Sequence, residues 1–127
     1  MINKYKHIIW DWNGTLLNDV EYCRRIINRI LVENYLPELS LKKYREIFTF
    51  PVQNYYEAAG LDFSKTSFEV LGKEFIDQYE SNKLSCSLHD NAIEVLSSIN
   101  KQGIGQSVLS AYLHDNLVMI LDRYNLT

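Results

Sequence analysis

His7-Ile8-Ile9-Trp10-Asp11-Trp12-Asn13-Gly14-Thr15-Leu16-Leu17 is the stretch on which the reading of this chain turns. His7 to Trp10 is a short apolar run, rich in β-branched and aromatic side chains, that stops at Asp11. The residues Trp12-Asn13-Gly14-Thr15 then supply a turn. Such a run predicts a buried strand ending in a loop. Asp11 thereby stands at the C-terminal end of a strand, where open α/β sheets place their ligands. Gly14 lets the backbone approach closely, and N–H groups in such a loop can hold phosphate oxygens. A carboxylate so placed can attack phosphorus and form an aspartyl-phosphate. Read alone, the same residues suit equally well an aspartate that caps a turn and a glycine that makes it.

Working outward, Val20, Ile27, Ile30 and Leu31 recur at helical spacing, with Asn18 or Asp19 as the cap and Pro37 beyond the end. Asp19 reads as a solvated helix-start residue. Ser40 begins a helix carrying Leu41, Tyr44 and Phe48, and Pro51 opens another that closes at Gly60. Ser64 or Thr66 starts a fourth, with Phe68, Leu71, Phe75 and Tyr79 on one face. No strand pattern occurs from Val20 to Tyr79, so this block predicts an all-helical module. The pattern changes after Ser81-Asn82-Lys83. Asp90 or Asn91 caps a helix with Ala92, Val95, Leu96 and Ile99 on one stripe, ended near Gly103. Gly105 to Ser110 reads as a strand, followed by a helix carrying Leu113, Leu117, Ile120, Leu121 and Tyr124. Strands separated by helices imply a parallel sheet in an α/β layer fold. The expected division is a core of residues 1–17 and 85–127 around a helical insert at 18–84.

Bulk properties narrow the function. The chain has 127 residues, 46% hydrophobic and 23% charged, with a formal net charge of -3. This profile suits one modest soluble domain. It lacks the basic face that nucleic acid requires. No apolar run approaches a membrane span, and Met1 to Lys6 lacks the apolar stretch of a signal peptide. Cys23 and Cys86 show no metal-like or redox-like spacing. The cytoplasm is the expected compartment.

The stretch from Ile8 to Leu17 closely resembles the first motif of the haloacid-dehalogenase superfamily: an apolar strand followed by Asp-x-Asp-Gly-Thr-Leu. The helical block lies where that superfamily inserts its helical cap. Val108-Leu109-Ser110 resembles the second motif, an apolar strand ending in Ser or Thr. Among branches, the chain looks most like the phosphoglycolate-phosphatase and β-phosphoglucomutase group. The resemblance implies a Rossmann-like α/β core with an inserted cap, and a phosphatase-like hydrolase acting on a small phosphorylated substrate. It implies Asp11 as nucleophile and magnesium ligand, and the Asn13 carbonyl as a second ligand. Phosphoryl oxygens would be held by Ser110 and by the loop from Trp12 through Asn13 and Gly14 to Thr15. Magnesium suits hard oxygen ligands and would offset the repulsion between carboxylate and phosphate.

Two departures accompany the resemblance. Asn13 stands where the family's phosphatases carry a second aspartate as general acid and base, and an amide cannot transfer that proton. The sequence also ends at Thr127, before the family's lysine and acidic pair. These departures leave open a non-catalytic binding module that kept the fold, as well as another superfamily reaction such as carbon–halogen cleavage. On this reading the core is incomplete at its C-terminal side, its sheet edge invites self-association, and the 127-residue chain alone turns over poorly. The three histidines have no acidic partner at catalytic spacing. His89, near the returning linker, is the one that could approach the site. Arg24, Arg25 and Arg45 read mainly as a solvated helix face that could touch a substrate anion.

Overall fold

The computed structural model describes residues 4–126; residues 1–3 and 127, the outermost of the expected core segments, lie outside the described residues. In chain order the elements are β1 (His7–Trp10), α1 (Val20–Glu33), α2 (Leu41–Ile47), α3 (Val52–Ala58) and α4 (Phe68–Asn82). A single 3-10 turn (Lys83–Ser85), α5 (Ala92–Lys101), β2 (Gly105–Val108) and α6 (His114–Arg123) follow. The chain divides into two compact units, one running to Asp19 and resuming at Leu84, the other spanning Val20–Lys83.

In the first unit β1 and β2 pair in parallel, His7 opposite Gly105 through Trp10 opposite Val108. One face of this sheet is packed. Trp10 Nε1 donates to Gln106 Oε1 at 2.9 Å, and Gln106 Nε2 donates to the Leu96 carbonyl of α5 at 3.0 Å. The opposite face is open, so the run read as a buried strand is covered on one side only: Ile9 is 63% exposed, and Leu109 just past β2, next to the incomplete side of the core, is 71% exposed. Parallel sheets are stable when both faces are covered, and among the described residues this unit covers one. His7 lies across Gly105, where a Cβ would come within 2.6 Å of His7 Nδ1, and its Nε2 meets Ser107 Oγ at 2.9 Å. Trp12, Leu16, Leu17, Ile99, Ile104, Leu117 and Ile120 form the unit's interior. The Trp12 and Tyr124 rings lie 5.9 Å apart, and the Tyr124 hydroxyl donates to the Cys86 carbonyl. Leu113, expected within α6, instead stands just before its first turn and is exposed.

The second unit is helical throughout. Ile26, Ile27, Ile30 and Leu31 give α1 a buried stripe, and Leu71 and Tyr79 do so for α4. Tyr22 on α1 donates its hydroxyl to the carbonyls of Gln78 and Tyr79 on α4. Asn28 is buried yet satisfied, donating to the Leu39 carbonyl at 3.0 Å and accepting from the Leu39 N–H at 2.7 Å. Ser40 caps α2 through the Lys43 N–H, as expected. The cap of α4 is Ser67, whose Oγ accepts from the Val70 N–H, and neither Ser64 nor Thr66. Asp62 explains the delay: its Oδ1 accepts both the N–H and the hydroxyl of Ser64, which holds that stretch in a local turn. Tyr44, Phe48, Tyr55, Tyr56 and Phe68 form a chain of tilted and edge-to-face ring contacts.

Candidate active site

Asp11 follows β1 directly, and Ser110 lies just past the end of β2, so both stand at the C-terminal ends of neighbouring parallel strands. The Leu109 N–H donates to the Trp10 carbonyl at 2.8 Å and carries the pairing up to the site. The Asp11 carboxylate is oriented by its own loop, Oδ1 accepting from the Trp12 N–H at 2.8 Å. The loop closes on one atom: the Trp12 carbonyl accepts the N–H groups of Thr15, Leu16 and Leu17, each at 3.1 Å. Gly14 makes this turn possible with a φ of 78°, a conformation that side chains with a Cβ rarely adopt.

This geometry distributes the expected phosphate-binding residues unevenly. The Trp12 N–H is directed at Asp11 and the Thr15 N–H at the Trp12 carbonyl, so neither amide points outward to a phosphate. The Trp12 indole is fully buried and its Nε1 has no hydrogen-bond partner, which makes this side chain part of the core. Thr15 does tie the loop together, through its backbone.

Asn13, Ser110 and Asp19 form one polar group. Asn13 Nδ2 donates to Asp19 Oδ2 at 3.0 Å, and Ser110 Oγ donates to Asn13 Oδ1 at 3.4 Å. Ser110 Oγ also accepts from the Tyr112 N–H at 3.1 Å. Because a carboxylate only accepts, the Asp19 contact fixes which end of the Asn13 amide faces which partner. Asp19 is 2% exposed, which corrects the expectation of a solvated helix-start residue. The reason is local: the loop folds back so that Asp19 accepts from the Asn13 amide.

A second set of contacts escaped the sequence reading except as a remark on His89. The segment Ser87 to His89 runs antiparallel to Leu16-Leu17-Asn18 as a strap. The Asn18 N–H donates to the Ser87 carbonyl at 2.9 Å, the His89 N–H to the Leu16 carbonyl at 3.0 Å, and Leu17 bridges to Leu88. His89 Nε2 then meets the Gly14 carbonyl at 3.1 Å. A carbonyl only accepts, so the ring donates. Among the residues flagged on helices, Arg24 is engaged by Glu21 and by the Leu39 carbonyl. Arg25 lines a shallow groove of the helical unit together with Asn28, Arg29, Val32, Glu33 and Glu38.

A divalent cation at Asp11 would find oxygen donors of the right kind, the exposed carboxylate and the Asn13 carbonyl. Among the described residues no group of three or more His, Cys, Asp or Glu side chains converges on a common point. The donor set therefore fits magnesium in kind and supplies only part of a coordination shell.

The family model for haloacid dehalogenase-like hydrolases matches residues 8–127. This chain belongs to the haloacid dehalogenase-like hydrolase family. Its fold recurs in a predicted phosphoglycolate phosphatase from Haemophilus somnus, with a TM-score of 0.76 at 20% identity over 97% of this chain and 59% of that one. A predicted phosphatase from Clostridium acetobutylicum gives 0.75 at 18% identity, over 96% and 56%. A hydrolase from Streptococcus pneumoniae gives 0.66 at 18%, over 98% and 63%. This family member thus spans 56% to 63% of the length of those solved chains. No curated protein matches it significantly. None of its described helices is long and apolar enough to cross a membrane.

Proposed function

We propose that this protein is a magnesium-dependent, phosphatase-like hydrolase of the cytoplasm that acts on a small phosphorylated compound through an Asp11 phosphoenzyme, with the helical unit serving as its cap. The observation that carries this reading is the pairing of Asp11 with Ser110 at the ends of adjacent parallel strands, in a loop built to hold the Asp11 carboxylate. The Trp12 N–H holds Oδ1, which leaves Oδ2 to attack phosphorus. Ser110 reaches Asn13 only at 3.4 Å, a long contact that a phosphoryl oxygen at the site replaces at little cost. Magnesium bound by Asp11 and the Asn13 carbonyl would supply charge neutralisation.

A second reading is favoured by one residue. Asn13 is an amide where proton transfer to a leaving group belongs, and its loss typically lowers rates about 10² to 10⁴-fold. A phosphate-binding module without turnover is the outcome that this amide supports. Intact mass after incubation with magnesium and acetyl phosphate separates the two readings. The hydrolase reading expects one phosphoryl group added to the protein and none to Asp11→Asn. Binding of inorganic phosphate with no covalent adduct on either protein refutes it in favour of the module.

A further inference from the structure

We infer that the Asn13–Asp19 pair restricts this site to activated phosphoryl donors of the acyl-phosphate class, whose leaving group departs without needing a proton. The inference rests on Asp11 being the nucleophile and adds the substrate class. When Asp11 Oδ2 bonds to phosphorus, the bond from phosphorus to the leaving oxygen breaks and that oxygen keeps the electron pair. An alkoxide is a strong base and leaves only if it gains a proton as it departs. The carboxylate released from an acyl phosphate is a weak base and leaves as the anion, so the step balances with no acid at all.

Three contacts keep an acid away from that oxygen. The side chain at position 13 is an amide, and its NH₂ end is turned to Asp19 at 3.0 Å, which leaves its carbonyl oxygen toward Ser110. Neither end can transfer a proton. The carboxyl group that this amide contacts, Asp19, is 2% exposed and holds it, so a leaving group in the site does not reach that acid. The nearby imidazole of His89 spends its Nε2 proton on the Gly14 carbonyl. Asp19 also makes Asn13 difficult to exchange: a carboxylate at position 13 would face another carboxylate at about the 3.0 Å of the present contact. The pair is thus a matched set, a buried acid that holds an amide in the proton-transfer position. The same lack of a base slows attack of water on the phosphorylated Asp11, whose proton must go to bulk solvent, so the phosphoenzyme accumulates.

The test compares acetyl phosphate, an aryl phosphate and a primary alkyl phosphate as donors to the full chain with magnesium, following the phosphorylated protein by intact mass. Acetyl phosphate should label Asp11 fastest and the alkyl ester should fail. In the double variant Asn13→Asp/Asp19→Asn, which restores a carboxyl group without the facing charge, the ratio of alkyl-ester labelling to acetyl-phosphate labelling should rise about 10² to 10⁴-fold. Thermal unfolding of the double variant checks that it folds; if it does not, the donor ranking of the natural protein decides alone, because the inference requires acetyl phosphate to label Asp11 and the alkyl ester to fail there. Equal labelling by alkyl and acyl donors in the natural protein, or an unchanged donor ranking in the folded variant, overturns the inference while leaving Asp11 as nucleophile. Labelling by no donor, or labelling that survives Asp11→Asn, overturns the nucleophile assignment and the inference with it.

Discussion

Replacing His89 by alanine isolates the side-chain part of the strap that holds the nucleophile loop. The backbone links from Ser87 to Asn18 and from His89 to Leu16 remain, so the variant loses one contact, the 3.1 Å bond from Nε2 to the Gly14 carbonyl. A net hydrogen bond contributes about 0.5–1.5 kcal/mol, and a fully buried acceptor left unpaired costs about 1–3 kcal/mol. Gly14 is half-buried, so water can reach its carbonyl and the cost falls toward the lower end, ~1–2 kcal/mol. For a unit of this size, each kcal/mol shifts Tm by about 4–8 °C. The loss should also be local. The peptide plane that carries the Gly14 carbonyl also carries the Thr15 N–H, which donates to Trp12. Freed from His89, that plane rocks, and the Thr15 amide should exchange with solvent faster than the amides of α1. His89→Gln, whose side-chain amide can donate to the same carbonyl, should recover part of both effects. Thermal unfolding with amide hydrogen exchange measures them. An unchanged Tm together with an unchanged Thr15 exchange rate would show that the imidazole holds nothing.

Alkaline pH should unfold the helical unit. Burial pushes the Tyr55 and Tyr56 hydroxyls far above their usual value near 10, so their contribution is full below about pH 10 and is lost as pH rises beyond it. Tyrosinate absorbance should then appear together with loss of helix; gradual ionisation with the helices intact would contradict this. Glu74 titrates above the usual carboxylate range because it hydrogen-bonds the Glu33 carboxyl and is partly desolvated. The folded unit favours its protonated form, so that contribution is full below the ordinary carboxyl pKa and fades as pH rises through the elevated one. Glu74→Gln should therefore raise Tm at neutral pH and flatten its acid dependence, and a lower Tm at neutral pH would reverse the assignment. The open face bearing Ile9 and Leu109, with unpaired strand edges beside it, should drive self-association at micromolar concentration. Sedimentation as a clean monomer, unaffected by Ile9→Lys, would count against that.

Local chemistry was enough to place most elements. An apolar run cut off by Asp11 is a strand whatever surrounds it, and β1 occupies His7–Trp10 as read. Helical spacing and Ser40 set α1 and α2, because caps and amphipathic stripes are decided within a few residues. The motif at Asp11 and the hydroxyl at Ser110 were visible for the same reason. What the linear order could not show was which distant groups would face one another. Ser67 won the cap of α4 because Asp62 claimed Ser64 first, a contest between two hydroxyls three residues apart. Asp19 looked like a solvated residue until the loop folded back and gave it Asn13 to hold. Trp12 was expected among the phosphate-holding residues until its ring went to the core and its N–H turned to Asp11. The strap that carries His89 to Gly14 joins residues 75 positions apart, a closure that no window of sequence contains. Residue type determined which chemistry was on offer at each position, and tertiary packing decided which partner each polar group met, because a buried donor or acceptor has to find its counterpart wherever the chain brings one.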